Sequence, residues 1–257
     1  MLFDSFARGN KANMLTSEKP EIDILLSTWN GESQLREQLA ALESQSFKSL
    51  RLIARDDGSD DASMRLLEDF ALHSPLPCRL LPASGHLGII GSFNMLMAAS
   101  SAPYVMLCDQ DDVWLPEKAE KSLAAIKKLE ARLGKDAPAL AHCDLKVVDS
   151  ELKPLSSSMW ASQNLDAENR TSLPEILVQN PVTGCALIAN RPLLNAATPV
   201  PPQAIMHDWH LAIAAAALGA IEPLNESLIL YRQHESNSVG FHEYSFRNIL
   251  EAAKNIP

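Results

Sequence analysis

The chain has no pair of closely spaced cysteines, no excess of basic charge, no apolar run long enough to cross a bilayer and no glycine-rich phosphate loop. Each absence excludes something. The four cysteines, Cys78, Cys108, Cys143 and Cys185, are far apart and three lie in apolar runs, so buried thiols in a reducing compartment are expected rather than a disulfide framework or zinc site. A formal net charge of −10 over 257 residues argues against nucleic acid as a partner and against charge-driven membrane binding. The first twenty residues lack the apolar core of a signal peptide, and the apolar run from Leu211 to Ile221 is short and mostly alanine. A cytoplasmic address is expected. No G-x-G-x-x-G follows the first apolar segment and no G-x-x-x-x-G-K-[ST] occurs anywhere, which removes the usual signals of dinucleotide and P-loop binding.

What is present is a soluble-protein composition, 46% hydrophobic and 21% charged, with an α/β rhythm. Apolar strands at Ile22–Leu26, Leu50–Ala54, Cys78–Leu81 and Tyr104–Cys108 alternate with segments of helical spacing, which indicates βαβ crossovers and a parallel sheet. Strands are also expected at Ala139–Val148, Gly184–Ala189 and Ile229–Gln233, with a long loop over Ser156–Ser172 and a helix from near Asp208 to a cap at Gly219. Residues 1–20 read as a loosely held arm, 21–240 as one domain and 241–257 as a terminal helix, a candidate for peripheral membrane contact.

The stretch Tyr104–Lys118 organises the rest. A buried strand delivers Asp109, Asp111 and Asp112 at once, and Pro116-Glu117 then opens a helix. Three anions so close are unfavourable unless a cation or a donor-rich ligand joins them, so a divalent metal holding a phosphate is the natural partner. The loops after the first two strands bring Thr28, Asn30, Glu32, Asp56 and Asp57 to the same sheet edge, where carboxylates can accept hydrogen bonds from a base and a ribose. Ser59 reads as an N-cap, with Asp60 and Asp61 as first-turn charges. Asp57, Ser59, Asp61 and Glu68 also match calcium-loop spacing, but Ala62 replaces the required glycine and a strand precedes. Asp208 heads an alanine-rich helix and reads equally as an N-cap or a functional acid.

S-T-W-N-G-E at 27–32, D-D-G-S at 56–59, D-Q-D-D-V-W at 109–114, T-G-C at 183–185, H-D-W at 207–209 and Y-R-Q-H-x-x-N at 231–237 resemble, in this order, the family 2 glycosyltransferases. That resemblance implies a GT-A-like single α/β domain with a mostly parallel, Rossmann-like sheet, and an inverting transferase using a nucleotide-diphosphate sugar. It implies that residues 21–112 hold the nucleotide, through Thr28, Asn30, Glu32, Asp56, Asp57, Gly88, Asp109 and Asp111, and that 113–240 hold the acceptor. Asp111 would bind Mg2+ or Mn2+, with His234 as a further ligand and Asp112 assisting; Trp114, Thr183, Gly184 and Trp209 would border the sugars. Asp208 matches the general base, although His207 stands where many relatives have a second acid. The Q-x-x-R-W element of processive synthases is missing. The last two motifs look most like those of bacterial rhamnosyltransferases that build surface polysaccharide on a lipid carrier. The rivals are a metal-dependent nucleotidyltransferase and a non-catalytic module that binds nucleotide sugars.

Overall fold

The computed structural model describes residues 19–83 and 85–233. The sequence opens with three strand–helix pairs: β1 Ile22–Thr28 and α1 Glu32–Glu43, β2 Leu50–Asp56 and α2 Ser63–His73, β3 Cys78–Leu80 and α3 Gly88–Ala99. β4 Tyr104–Cys108, a two-residue β5 Val113–Trp114 and the long α4 Lys118–Leu133 follow. β6 Ala139–Val148, β7 Pro154–Ser156, α5 Met159–Ser162, α6 Leu173–Val178, β8 Leu187–Asn190, α7 Arg191–Ala197, α8 His207–Leu218 and β9 Ala220–Arg232 complete the described chain.

The strands form one sheet in the order β3-β2-β1-β4-β8-β6-β9-β5, with β7 beside β6. The first four strands pair in parallel, as their helical crossovers require. β8 then joins β4 and β6 antiparallel, and β9 runs parallel to β6, so the sheet is mixed beyond β4. Alternation along β1 and β4 sends Ile24, Leu26, Met106 and Cys108 to one face and Leu25, Val105 and Leu107 to the other. The first face is covered by apolar residues of α1, α2 and α4, the second by those of α3, α7 and α8. Burial on both faces is why β4 reads as an unbroken apolar run.

Several local expectations shift. Ser59 is not a cap: α2 starts at Ser63, and the Ser59 hydroxyl donates to Asp56 while accepting from the Asn30 N–H. Asp61 accepts from the Glu32 and Ser63 N–H groups, so it joins two loops rather than heading a helix. Gly184–Ala186 is a 3-10 turn, and the strand begins only at Leu187. The last strand starts nine residues before Ile229, at Ala220, where polar and exposed positions hide its periodicity. Residues 156–172 contain the short α5, whose Met159 and Trp160 are buried. The expected arm before residue 19 and the segment after 233, with the expected terminal helix and His234, lie outside the described residues.

Candidate active site

The loops at the carboxyl ends of β1, β2 and β4 are tied together by their own polar side chains. Thr28 donates to Asp56 at 3.0 Å, and the same carboxylate accepts from the Gly58 and Ser59 N–H groups. Asn30 has φ +49°, a conformation asparagine tolerates, and its side-chain oxygen accepts from the Asp60 N–H at 2.9 Å. Glu32 accepts from the Ala62 N–H. Gln110 exchanges two hydrogen bonds with the Trp29 backbone, at 2.8 and 3.0 Å, locking the first loop to the acidic one. Thr28, Asn30, Glu32 and Asp56 thus shape the rim, and none of them lines the cavity itself.

Asp57 does line it. Its carboxylate is held by the buried Arg55 guanidinium and by the Leu87 and Gly88 N–H groups at the head of α3. Burial pushes this carboxyl up, but Leu87, Arg55 and Gly88 outweigh that and leave it below its usual value. Arg55 also donates to Ser92 and to the Gly85 carbonyl, so one buried cation anchors the loop that carries His86. His86 and Trp29 meet with ring centroids 5.0 Å apart, both exposed at the cavity wall.

The cavity is about 780 Å3 and is bordered by Asp109, Asp111 and Tyr231 on one side and by Thr183, Gly184, His207, Asp208 and Trp209 on the other. Asp109 is driven up to about 7 by burial and by the charges of Asp111 and Asp208, so three carboxylates share one space. Asp112 lies behind them, fully buried and raised well above the ordinary range by burial, Asp111 and Asp109. One of its oxygens accepts from the Arg232 N–H, and its carboxyl lies beside the Cys185 thiol. The Arg232 side chain donates to the Asp111 carbonyl, to the Ser150 carbonyl and to Glu37, and so fixes the acidic loop against β9.

Asp208 lies in the first turn of α8, where Met206, not Asp208, occupies the cap position. One carboxylate oxygen accepts from the Gly184 N–H at 2.8 Å and the other from the Trp209 N–H. Burial raises it to about 6 against those two donors. The Trp209 indole N–H donates to the Ile176 carbonyl at 2.7 Å, turning its ring along the cavity wall. Trp114 requires a correction: it is 1% exposed, belongs to the core and carries the Lys118 ammonium 3.4 Å from its ring centre, so it offers no face to a sugar.

One oxygen each of Asp109 and Asp112 and the Cys185 sulfur lie within 4.8 Å of one another. The Cys185 thiol is pushed far up by burial and by both carboxylates, so it stays protonated and is a poor ligand for a hard cation. The cavity-side carboxylates of Asp109 and Asp111 suit Mg2+ or Mn2+, which take oxygen ligands. Trp29, His86, Gln110 and Tyr231 were invisible as site residues in sequence because an aromatic or amide at a strand end has many uses. Trp29, flanked by Thr28 and Asn30 in a polar loop, carried the best available signal.

The buried ionisable groups set a pH profile of stability in metal-free buffer. Asp109, Asp112 and Asp208 have raised values, so the folded state binds more protons than the unfolded one and stability falls as pH rises from about 4 through 7. Burial holds His142 down at about 3 and His207 at about 4, so stability also falls as pH drops below about 6.5, where the unfolded histidines charge. Above about pH 6.5 the histidine contribution is constant, so Tm in EDTA is expected to fall as pH rises to about 8, with Asp109→Asn flattening that limb. A Tm still rising at pH 8 in the unsubstituted protein would contradict these burials.

A mixed α/β sheet with helices on both faces and an acidic crevice at its carboxyl edge is the architecture expected of a GT-A fold, and the likeness to TarS shows that fold. Residues 23–134 match the family model described as Glycosyl transferase family 2, which supports a family 2 glycosyltransferase. The solved structure of S. aureus TarS with UDP-GlcNAc superposes with a TM-score of 0.65 at 17% identity, over 84% of this chain and 60% of that one. Mannosyltransferase PcManGT from Pyrobaculum calidifontis, in complex with GDP-Man and Mn2+, gives 0.60 at 16% identity, over 94% and 66%. Among curated relatives, dTDP-rhamnosyl transferase RfbG of Shigella flexneri is 23% identical over 231 residues, 84% of this chain and 73% of its own. The chain spans 59% of the length of the uncharacterized mycobacterial relatives it matches at 25% identity. Among the described residues no helix is long and apolar enough to cross a membrane.

Proposed function

We propose that this protein transfers a glycosyl group from a nucleotide-diphosphate sugar to a saccharide hydroxyl, with inversion. The observation that carries the reading is the cavity in which Asp208 faces Asp109 and Asp111. Residues 21–112 hold the nucleotide: the exposed Trp29 ring, with His86 tilted against it, offers an aromatic face for the base, and Asp57 or Asp109 accepts from its ring N–H or from ribose. Asp109 and Asp111, joined by His234, would hold Mg2+ or Mn2+. When bound, that cation offsets the charge that grows on the departing diphosphate. Thr183, Gly184 and Trp209, in the half from 113 to 240, border the sugar and acceptor.

Asp208 removes the proton from the acceptor hydroxyl as its oxygen attacks the anomeric carbon from the face opposite the diphosphate. A carboxyl near 6 is ionised at neutral pH yet more basic than an exposed aspartate. Its half-buried position keeps that proton transfer out of bulk water. Rhamnose from a dTDP donor is the donor sugar we favour, supported by the H-D-W and Y-R-Q-H motifs and by the likeness to RfbG. A lipid-linked saccharide of a bacterial surface polysaccharide is the acceptor this implies, with peripheral contact at the inner membrane face.

Calorimetric titration with dTDP, UDP, GDP and their sugars, with and without Mn2+, tests the donor site. One nucleotide is expected to bind in a Mn2+-dependent manner, and Asp111→Ala to weaken that binding at least about 30-fold, the scale set by losing one charge-assisted ligand. Binding without any turnover would favour a non-catalytic module, and no binding at all would remove the reading.

A further inference from the structure

His207 is 3% exposed, lies flat against the buried Phe93 ring at a centroid distance of 4.2 Å and an interplanar angle of 18°, and still borders the cavity. Its Nδ1 is buried with no hydrogen-bond partner among the described residues. Its Nε2 lies 3.2 Å from the point where a Cβ on Gly184 would stand, and the Asp208 Oδ2 lies 3.5 Å from that same point. The imidazole and the carboxylate therefore flank one small space over a residue that has no side chain to fill it.

A neutral imidazole carries one proton, and burial holds His207 at about 4, so the ring is neutral at physiological pH. A buried N–H without an acceptor is costly, and Nδ1 faces none. The proton thus resides on Nε2, which makes that atom a donor beside the acceptor-only Asp208 carboxylate. One hydroxyl fits such a pair: its oxygen accepts from His207 while its hydrogen points to Asp208.

We propose that His207 is a substrate-binding residue whose Nε2–H holds a sugar hydroxyl oxygen against Asp208, the stack on Phe93 fixing the ring for that task. The inference rests on the glycosyl-transfer reading of the cavity. It replaces the acid expected beside the base with a neutral donor, which removes a charge that would repel the hydroxyl's developing anion. The hydroxyl can belong to the attacking acceptor or to the donor sugar, and the two sources separate by experiment.

The test compares the native protein with His207→Phe, which keeps an aromatic ring on Phe93, and with His207→Gln, which keeps an N–H. Calorimetry measures whichever nucleotide of dTDP, UDP and GDP binds, and its sugar conjugate, with Mn2+. Single-turnover hydrolysis of that conjugate uses water as the attacking hydroxyl. If the hydroxyl is the attacker's, His207→Phe keeps both affinities within twofold and slows hydrolysis at least 10-fold, and His207→Gln recovers part of the rate. If it is the donor sugar's, His207→Phe weakens the conjugate about 10-fold and leaves the bare nucleotide unchanged. Affinities and rate both within twofold of native overturn the proposal. Ring nitrogen NMR of the free protein adds a readout independent of turnover: the Nε2–H tautomer is expected, and the Nδ1–H tautomer overturns the assignment even if the native protein binds no donor. Absence of donor binding together with the Nε2–H tautomer counts against the glycosyl-transfer reading, and with it against the hydroxyl role of His207.

Discussion

Asp208→Asn is expected to lose at least about 1,000-fold in transfer rate while keeping donor affinity within about threefold. The amide is isosteric and its oxygen can still accept from the Gly184 N–H, which keeps the turn at Gly184–Ala186 in place, while its NH2 gives up only the bond from the Trp209 N–H. What is lost is the lone pair able to take a proton. The acceptor hydroxyl, with a pKa far above neutral, then has no group to receive its proton as the new bond forms. Binding of the nucleotide is expected to persist because Trp29, Asp57 and Asp111 lie on other loops of the cavity. Removing one negative charge from a space shared with Asp109 and Asp111 should tighten the anionic donor slightly, so kcat and the KM for donor are both expected to fall. The native pH profile supplies the companion measurement: kcat should fall about tenfold per pH unit below about 6 as Asp208 protonates. A variant that keeps more than a tenth of the native rate would falsify the assignment of Asp208 as base.

Gly219→Ala carries the largest expected effect on stability. Gly219 closes α8 and turns the chain into β9, and a Cβ built there would stand 1.7 Å from the Pro138 carbonyl oxygen. The obstacle is backbone at the mouth of β6, which pairs with β9 from Ala139 and Ala220 onward, so relief requires the two strands to part where they begin. Overpacking of this kind costs more than ordinary core substitutions, and a loss above about 4 kcal/mol is expected. Gly134 is the control: nothing lies within 4 Å of its Cβ position, and only its φ of +95° opposes a side chain. Gly134→Ala should cost about 1–2 kcal/mol. Thermal unfolding of both variants decides the matter; equal shifts in Tm would mean that the contact with Pro138 relaxes without cost.

The parallel half of the sheet was legible because its strands are buried on both faces and its helices are long and periodic. The segment after residue 148 was less so. β9 was seen only at its apolar end because Glu222, Asn225 and Glu226 interrupt the pattern, and the 3-10 turn at Gly184 read as strand because its three residues are all small and buried. The polar motifs were found, but their division of labour was not. Thr28, Asn30, Glu32, Asp56, Ser59 and Asp61 spend hydrogen bonds on one another, a use that sequence spacing cannot distinguish from waiting for a ligand. Trp114 was misread for the same reason: an aromatic beside an acidic cluster faces substrate or core according to the sheet register, and β5 pairs with β9 so as to turn it inward.

The sequence by itself determined the fold class and the edge of the sheet where chemistry gathers, because strand burial and loop polarity are local properties written residue by residue. Tertiary structure alone decided which acids share a cavity and which neighbour sits against the base. Asp208 and Asp109 are 99 positions apart in the chain, and Phe93, Gly184 and His207 come from three different elements. Their mutual distances, and hence the charge each carries and the hydroxyl they can hold, follow from how α3 and α8 pack on one face of the sheet.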